Sequence, residues 1–305
     1  MVQEFVKISN SPIQFLSTLS GVEIWVKRDD LHDPFVSGNK LFKLKYNLAQ
    51  AIKEEKNCLL TFGGAFSNHI AATASFAYQS GLKSIGIIRG EATDELNPTL
   101  RFAASKGMEL TFTSREAYRQ KNDPAFLTEL QREHPNAFII PEGGANLLGI
   151  KGSEEILNED TQSFDAIACA IGTGTTVAGL LKACAEHQKI IGIPIHKHSQ
   201  IMDEVLELDP SLKDHWHHLM LEPDFHFGGY AKWNQALIEF IQTFYRDHGL
   251  KLDPIYTGKA LFALIECIKN DKVKSGSKVL FVHTGGLQSV PGFEERFKLK
   301  LFDKS

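Results

Sequence analysis

Short apolar runs bounded by turn residues and alternating with helical patterns constrain this chain more than any other feature of its sequence. Cys58 to Phe62, Ser84 to Arg89, Leu110 to Thr113 and Ala137 to Ile140 read as buried strands. Helices are expected over Asn68 to Gln79, over Leu100 to Lys106 and through about Glu133. Upstream, Ile24-Trp25-Val26 reads as a strand, and a Gly38-Asn39 turn opens a helix through about Glu55. A second series starts near Phe164, with a strand over Ala166 to Ile171, a helix over Val177 to Ala185 and a strand over Ile190 to Ile195. Later come a helix from Tyr256 through Ile268 and a strand from Lys278 to His283, while the stretch from His196 to Phe227 gives little pattern. Continuous apolar strands separated by helices indicate parallel sheets covered on both faces. The expected class is therefore α/β, with residues 44–152 a small doubly wound unit.

At 305 residues, 43% of them hydrophobic, the chain can bury one large or two smaller cores. A net charge of -4 with dispersed lysines and arginines gives no footprint for nucleic acid or an anionic membrane. Small molecules are the expected partners. Met1 to Asn10 lacks the apolar core of a signal peptide, and no apolar run approaches the roughly 20 residues that span a bilayer, so a cytoplasmic location is expected. Cys58, Cys169, Cys184 and Cys267 are widely spaced and read as reduced thiols.

Three loops lie at the carboxyl ends of expected strands, where open α/β sheets hold ligands. Gly63 to His69 enters a helix whose free N–H groups suit a carboxylate, and Ser67 can cap that helix and face the ligand at once. Gly172-Thr173-Gly174-Thr175-Thr176 offers N–H and hydroxyl donors to a phosphate, but it lacks the lysine of a nucleotide-binding P-loop. Its glycine spacing is also wrong for a dinucleotide fingerprint. The third loop is Thr284-Gly285-Gly286. Beside these stands Lys40, at a helix start among Leu41, Phe42 and Leu44, where desolvation would lower its pKa and make it nucleophilic. A reactive lysine and a phosphate loop together suggest pyridoxal phosphate, which carries one aldehyde and one phosphate.

The segments SGNKLFKLKYNL, TFGGAFSNH, PEGGAN, IGTGTT, FGGY, DPIYTGKA and FVHTGG, in that order, resemble the pyridoxal-phosphate family containing 1-aminocyclopropane-1-carboxylate deaminase and D-cysteine desulfhydrase. The resemblance implies a tryptophan-synthase-β-like fold of two open, mostly parallel twisted sheets with helices on both faces and an active site between two domains. Residues 1–43 and 153–305 would then form the large cofactor-binding domain and 44–152 the small one. It further implies that Lys40 is the Schiff-base lysine, that Asn68 touches the ring 3'-oxygen, and that Gly172 to Thr176 hold the phosphate. Ser67, with Asn68 and His69, would lie by the substrate carboxylate, Tyr230 and Tyr256 would flank the substrate, and Thr257 and Thr284 would join the cofactor contacts. A homodimer acting on a small amino acid is implied as well.

Thr257 and Thr284 stand where deaminases typically carry Glu and Leu, which favours the desulfhydrase-like branch. The expected reaction is α,β-elimination from D-cysteine, giving pyruvate, ammonia and sulfide. The alternatives are cyclopropane opening, dehydration of a D-serine-type substrate, and binding of the cofactor without turnover. Ser37 replaces the glycine usual before Gly-Asn-Lys. His196, His198, His215, His217, His218 and His226 crowd the weakly patterned segment, but they match no standard ligand spacing and no carboxylate partner is evident among them, so no metal is expected.

Overall fold

The computed structural model describes residues 8–36, 38–197 and 200–302, so Ser37 and His198 lie outside the described residues. Among the described residues ten strands form two sheets. The larger is built from β1 (Ile13–Leu19), β2 (Val22–Lys27), β7 (Ala166–Ile171), β8 (Lys189–Pro194), β9 (Leu219–Leu221) and β10 (Lys278–Val282), in the order β1-β2-β10-β7-β8-β9. The smaller contains β3 (Cys58–Gly64), β4 (Lys83–Arg89), β5 (Met108–Thr113) and β6 (Ala137–Ile140), in the order β5-β4-β3-β6. Among these ten strands every strand-to-strand ladder is parallel except the β1–β2 hairpin at one edge. The sequence pattern did not reveal β1, because its alternating polar residues and half-exposed edge position carry none of the continuous apolar character of the inner strands.

Helices cover both faces of the larger sheet. On one side α9 (Gln235–His248), α10 (Thr257–Lys269) and α11 (Val290–Phe297) pack on Val22, Ile24, Val279 and Phe281. On the other, α6 (Leu147–Glu154), α7 (Thr175–Ala183) and α8 (Ile201–Leu208) pack on Ile167, Ile171 and Leu280. The smaller sheet is covered by α1 (Asn39–Lys53), α2 (Asn68–Gln79), α3 (Pro98–Ser105) and α5 (Pro124–Glu133), with the single turn α4 (Arg115–Tyr118) before the last. Asp123 caps α5 through the N–H groups of Ala125 and Phe126, and Pro124 suits its first turn. This break divides what the sequence suggested as one helix.

Helix α1 belongs to both cores. Phe42 packs with the residues of the larger sheet, while Leu44, Leu48 and Ala51 pack against Leu59, Phe76 and Ile140 of the smaller unit. The segment with little sequence pattern folds as α8, a 3-10 helix over Pro210–His218 and the short edge strand β9. All four cysteines are free thiols. Among the described residues no helix is long and apolar enough to cross a membrane.

Candidate active site

Lys40 is the second residue of α1, and the turn before it is fixed by close approach of two loops. Gly38 has φ of 64°, and a Cβ there would stand 2.0 Å from the carbonyl oxygen of Thr284, so only glycine fits. The Gly38 N–H donates to the Asp29 carbonyl at 2.9 Å and the Asn39 N–H to the Thr284 carbonyl at 3.4 Å. Asp29 is itself anchored by a buried ion pair with Lys27 and by a hydrogen bond from Ser11 Oγ at 2.6 Å. The lysine thus emerges from a rigid corner beside the end of β10.

Around it lies a cavity of about 300 Å³ at the carboxyl ends of strands from both sheets. Its walls include Lys40, Ser67, Asn68, His69, Gly172, Thr173, Gly174, Thr176, Tyr230, Tyr256 and Thr284, so the structure brings together most of the residues singled out from sequence. Two are not on the wall. Thr175 is fully buried, with its hydroxyl 3.1 Å from that of Thr173. Thr257 is also fully buried and donates to Asp253 Oδ2 at 2.6 Å, while its Oγ1 accepts from the Asp253 N–H at 2.9 Å.

Burial draws the pKa of Lys40 down to about 8, against a weaker upward pull from Cys169 and Asp253. Its Nζ donates to Asn39 Oδ1 at 2.9 Å, and Asn39 Nδ2 donates to Thr176 Oγ1 at 2.8 Å. Asn39 therefore ties the candidate nucleophile to the glycine-threonine loop. That loop leads into α7, whose free N–H groups and positive dipole end suit a phosphate. Gly174, at φ of 76°, forms the turn, and a Cβ would come within 2.2 Å of Val205 Cγ2.

Ser67 caps α2 by accepting from the Ile70 N–H at 3.4 Å and also lines the cavity. Thr61 Oγ1 donates to the Ile140 carbonyl at 2.8 Å, so His69 Nε2, 2.9 Å from the same hydroxyl, carries a proton and leaves Nδ1 as an acceptor. Burial, reinforced by Lys40 and Lys43, holds the His69 pKa well below its usual value. His69 Nδ1 and Asn68 Oδ1 are both buried without a hydrogen-bond partner. Tyr230 and Tyr256 meet edge to face at 6.2 Å and share a hydrogen bond. Burial raises the pKa of both phenols, that of Tyr256 farther, so both keep their protons at neutral pH.

The structure adds residues that the sequence did not suggest. Lys43 lines the cavity one turn after Lys40, with Nζ 3.3 Å from the Gly143 carbonyl, and burial pulls its pKa well below the ordinary lysine value. Arg89 ends β4, Glu142 follows β6, and His196 stacks on Tyr230 at 5.4 Å. Asp253 accepts from the N–H groups of Ile255, Tyr256 and Thr257 and so fixes the start of α10 below the cavity. Only the aspartate before Pro254 and the arginine at a strand end were sequence signals for these, and neither is specific.

Two lysines whose pKa burial lowers, a phosphate-suited helix start, a slot bordered by Asn68 and Thr284, and unpaired buried acceptors fit a small ring bearing an aldehyde and a phosphate. The model of the family described as pyridoxal-phosphate dependent enzyme matches residues 5–285. A Thermotoga maritima protein provisionally named 1-aminocyclopropane-1-carboxylate deaminase is 34% identical over 303 residues, covering 92% of this chain and 95% of that protein. The bifunctional D-cysteine desulfhydrase/1-aminocyclopropane-1-carboxylate deaminase of Arabidopsis thaliana mitochondria is 32% identical over 295 residues, covering 88% and 73%. The crystal structure of an ACC deaminase homologue superposes with a TM-score of 0.82 at 28% identity, covering 96% of this chain and 95% of the other. The chain belongs to the pyridoxal-phosphate dependent enzymes, in the family of 1-aminocyclopropane-1-carboxylate deaminase and D-cysteine desulfhydrase, and its cofactor is pyridoxal phosphate.

Proposed function

We propose that the enzyme catalyses α,β-elimination from a small amino acid with a β-leaving group, with D-cysteine the first candidate and pyruvate, ammonia and sulfide the products. The observation that carries this reading is the set of groups available to the cofactor ring. Thr284 presents a neutral hydroxyl at the end of β10, and both oxygens of the nearby Asp253 are taken up by the start of α10. When bound, pyridoxal phosphate supplies an electron sink for cleavage at the substrate Cα. A hydroxyl at Thr284, in place of a carboxylate, leaves that sink weaker and favours a reaction in which a leaving group carries the electrons away.

In this reading Lys40 carries the cofactor and takes the α-proton, because an amine with pKa about 8 is readily interconverted between its two forms near neutral pH. Gly172 to Thr176, Asn39 and Lys43 hold the phosphate. Ser67, Asn68 and the N-terminus of α2 orient the substrate carboxylate, with His69 completing that wall. Tyr256, kept protonated by burial and by Tyr230, donates a proton to the departing sulfur. Thr257 acts through Asp253 and the start of α10 rather than by touching the ring. The active form is taken as a cytoplasmic homodimer, with residues 44–152 as the smaller domain.

Cyclopropane opening is the second reading, favoured by the name of the Thermotoga relative, while the plant relative's name carries both activities. A substrate panel separates the two. Incubation of the cofactor-loaded enzyme with D-cysteine, D-serine and 1-aminocyclopropane-1-carboxylate is expected to yield pyruvate and sulfide from D-cysteine. 2-Oxobutanoate from the cyclopropane substrate, with no sulfide from D-cysteine, would replace the first reading with the second.

A further inference from the structure

Away from the cofactor loops, at the amino ends of β8 and β9, Glu186, His217 and His218 bring their ligand atoms within 4.8 Å of one another. The two histidines end the 3-10 helix that leads into β9, and Glu186 comes from the loop between α7 and β8. The carboxylate partner thus comes from outside the histidine segment.

The geometry is that of a ligand set. His218 is buried, and its Nδ1 lies 2.9 Å from the Gln188 carbonyl, which can only accept, so Nδ1 carries the proton. Nε2 is thereby aimed at Glu186 Oε2, 3.8 Å away, and His217 Nε2 stands 3.7 Å from Glu186 Oε1. Both separations are too long for a hydrogen bond. Donors about 2.0–2.2 Å from one tetrahedral zinc ion stand roughly 3.3–3.6 Å from each other. All three ligand atoms lie within 4.8 Å of one another, and Glu186, 91% exposed, is free to close the few tenths of an ångström that separate its own two histidine contacts from the tetrahedral spacing. A histidine whose far N–H rests on a main-chain carbonyl is also the usual arrangement of a metal-bound imidazole.

We infer that Glu186, His217 and His218 form a structural site for a divalent cation of the zinc class, with water completing the coordination. Such an ion would tie the loop entering β8 to the segment entering edge strand β9. It takes no part in the reaction at Lys40.

The test is calorimetric titration of the cofactor-loaded enzyme, freed of excess pyridoxal phosphate, with zinc chloride. Wild type is compared with Glu186→Gln, His217→Ala and the distant surface control His248→Ala. Both ligand variants change side chains that are more than half exposed, so folding is retained. One zinc per chain is expected in wild type and His248→Ala, with a zinc-dependent rise in melting temperature. Affinity should fall by about tenfold or more in each ligand variant, while turnover in zinc-free buffer stays the same in all four. Absence of stoichiometric binding in wild type, or wild-type affinity in either ligand variant, would overturn the inference.

Discussion

Lys40 and Lys43 stand one helical turn apart in the same cavity, and the charge of Lys40 helps to hold the pKa of Lys43 well down. Burial gives Lys40 a pKa of about 8, and an amine attacks an aldehyde only in its neutral form. Covalent capture of pyridoxal phosphate by apoenzyme should therefore speed up as pH rises through about 8 and level off above it. Stopped-flow absorbance would record this. Capture that keeps accelerating toward pH 10.5, the ordinary lysine value, would contradict the buried assignment. Tyr256 makes a second claim at this scale. If its phenol protonates the leaving group, Tyr256→Phe should lower kcat for D-cysteine by roughly a hundredfold with a smaller change in KM. An unchanged kcat would reduce the tyrosine to a wall of the cavity.

The helix start that presents Lys40 depends on two compact devices. At Gly38 an alanine would force a left-handed residue, costing about 1–2 kcal/mol, and would press its Cβ into the Thr284 carbonyl. Gly38→Ala should weaken cofactor binding by about tenfold or more, read by absorbance titration, with an unaltered far-ultraviolet circular dichroism spectrum. Wild-type affinity would show that the corner can relax. Asp29 has no exposed surface, and its loss would leave Lys27 charged and unpaired in the interior. Asp29→Ala should destabilise the fold by about 3–5 kcal/mol in urea unfolding. The elements that carry these corners were largely legible in the sequence. Asn68 to Gln79, Ala137 to Ile140 and Ala166 to Ile171 coincide with α2, β6 and β7, because each is a short apolar or helical run bounded by turn residues. The edge strand β1 and the helices α6, α9 and α11 were not singled out from sequence, and neither were the irregular pieces. The 3-10 helix Pro210–His218 and the three-residue strand β9 lack a sustained period of either kind.

Over the whole molecule, α1 serves as the shared wall of two cores, with Phe42 in one and Leu44 and Leu48 in the other. This places Lys40 where the strand ends of both sheets converge, and the loops after β3, β7 and β10 close around it. Those loops could be found from sequence because glycine marks a strand end locally. Lys43, Arg89, Glu142 and His196 were not singled out as cavity residues, since nothing specific marks them for that place until the fold carries them to it. The same holds for Glu186, which meets His217 and His218 only when β8 and β9 pair. The account as a whole rests on which amine holds the cofactor. Borohydride reduction of the cofactor-loaded enzyme, followed by digestion and mass spectrometry, fixes pyridoxal phosphate on the lysine that carries it. The label is expected on Lys40 and should be absent from Lys40→Ala; a label on Lys43 or another lysine in the wild-type enzyme would contradict the assignment.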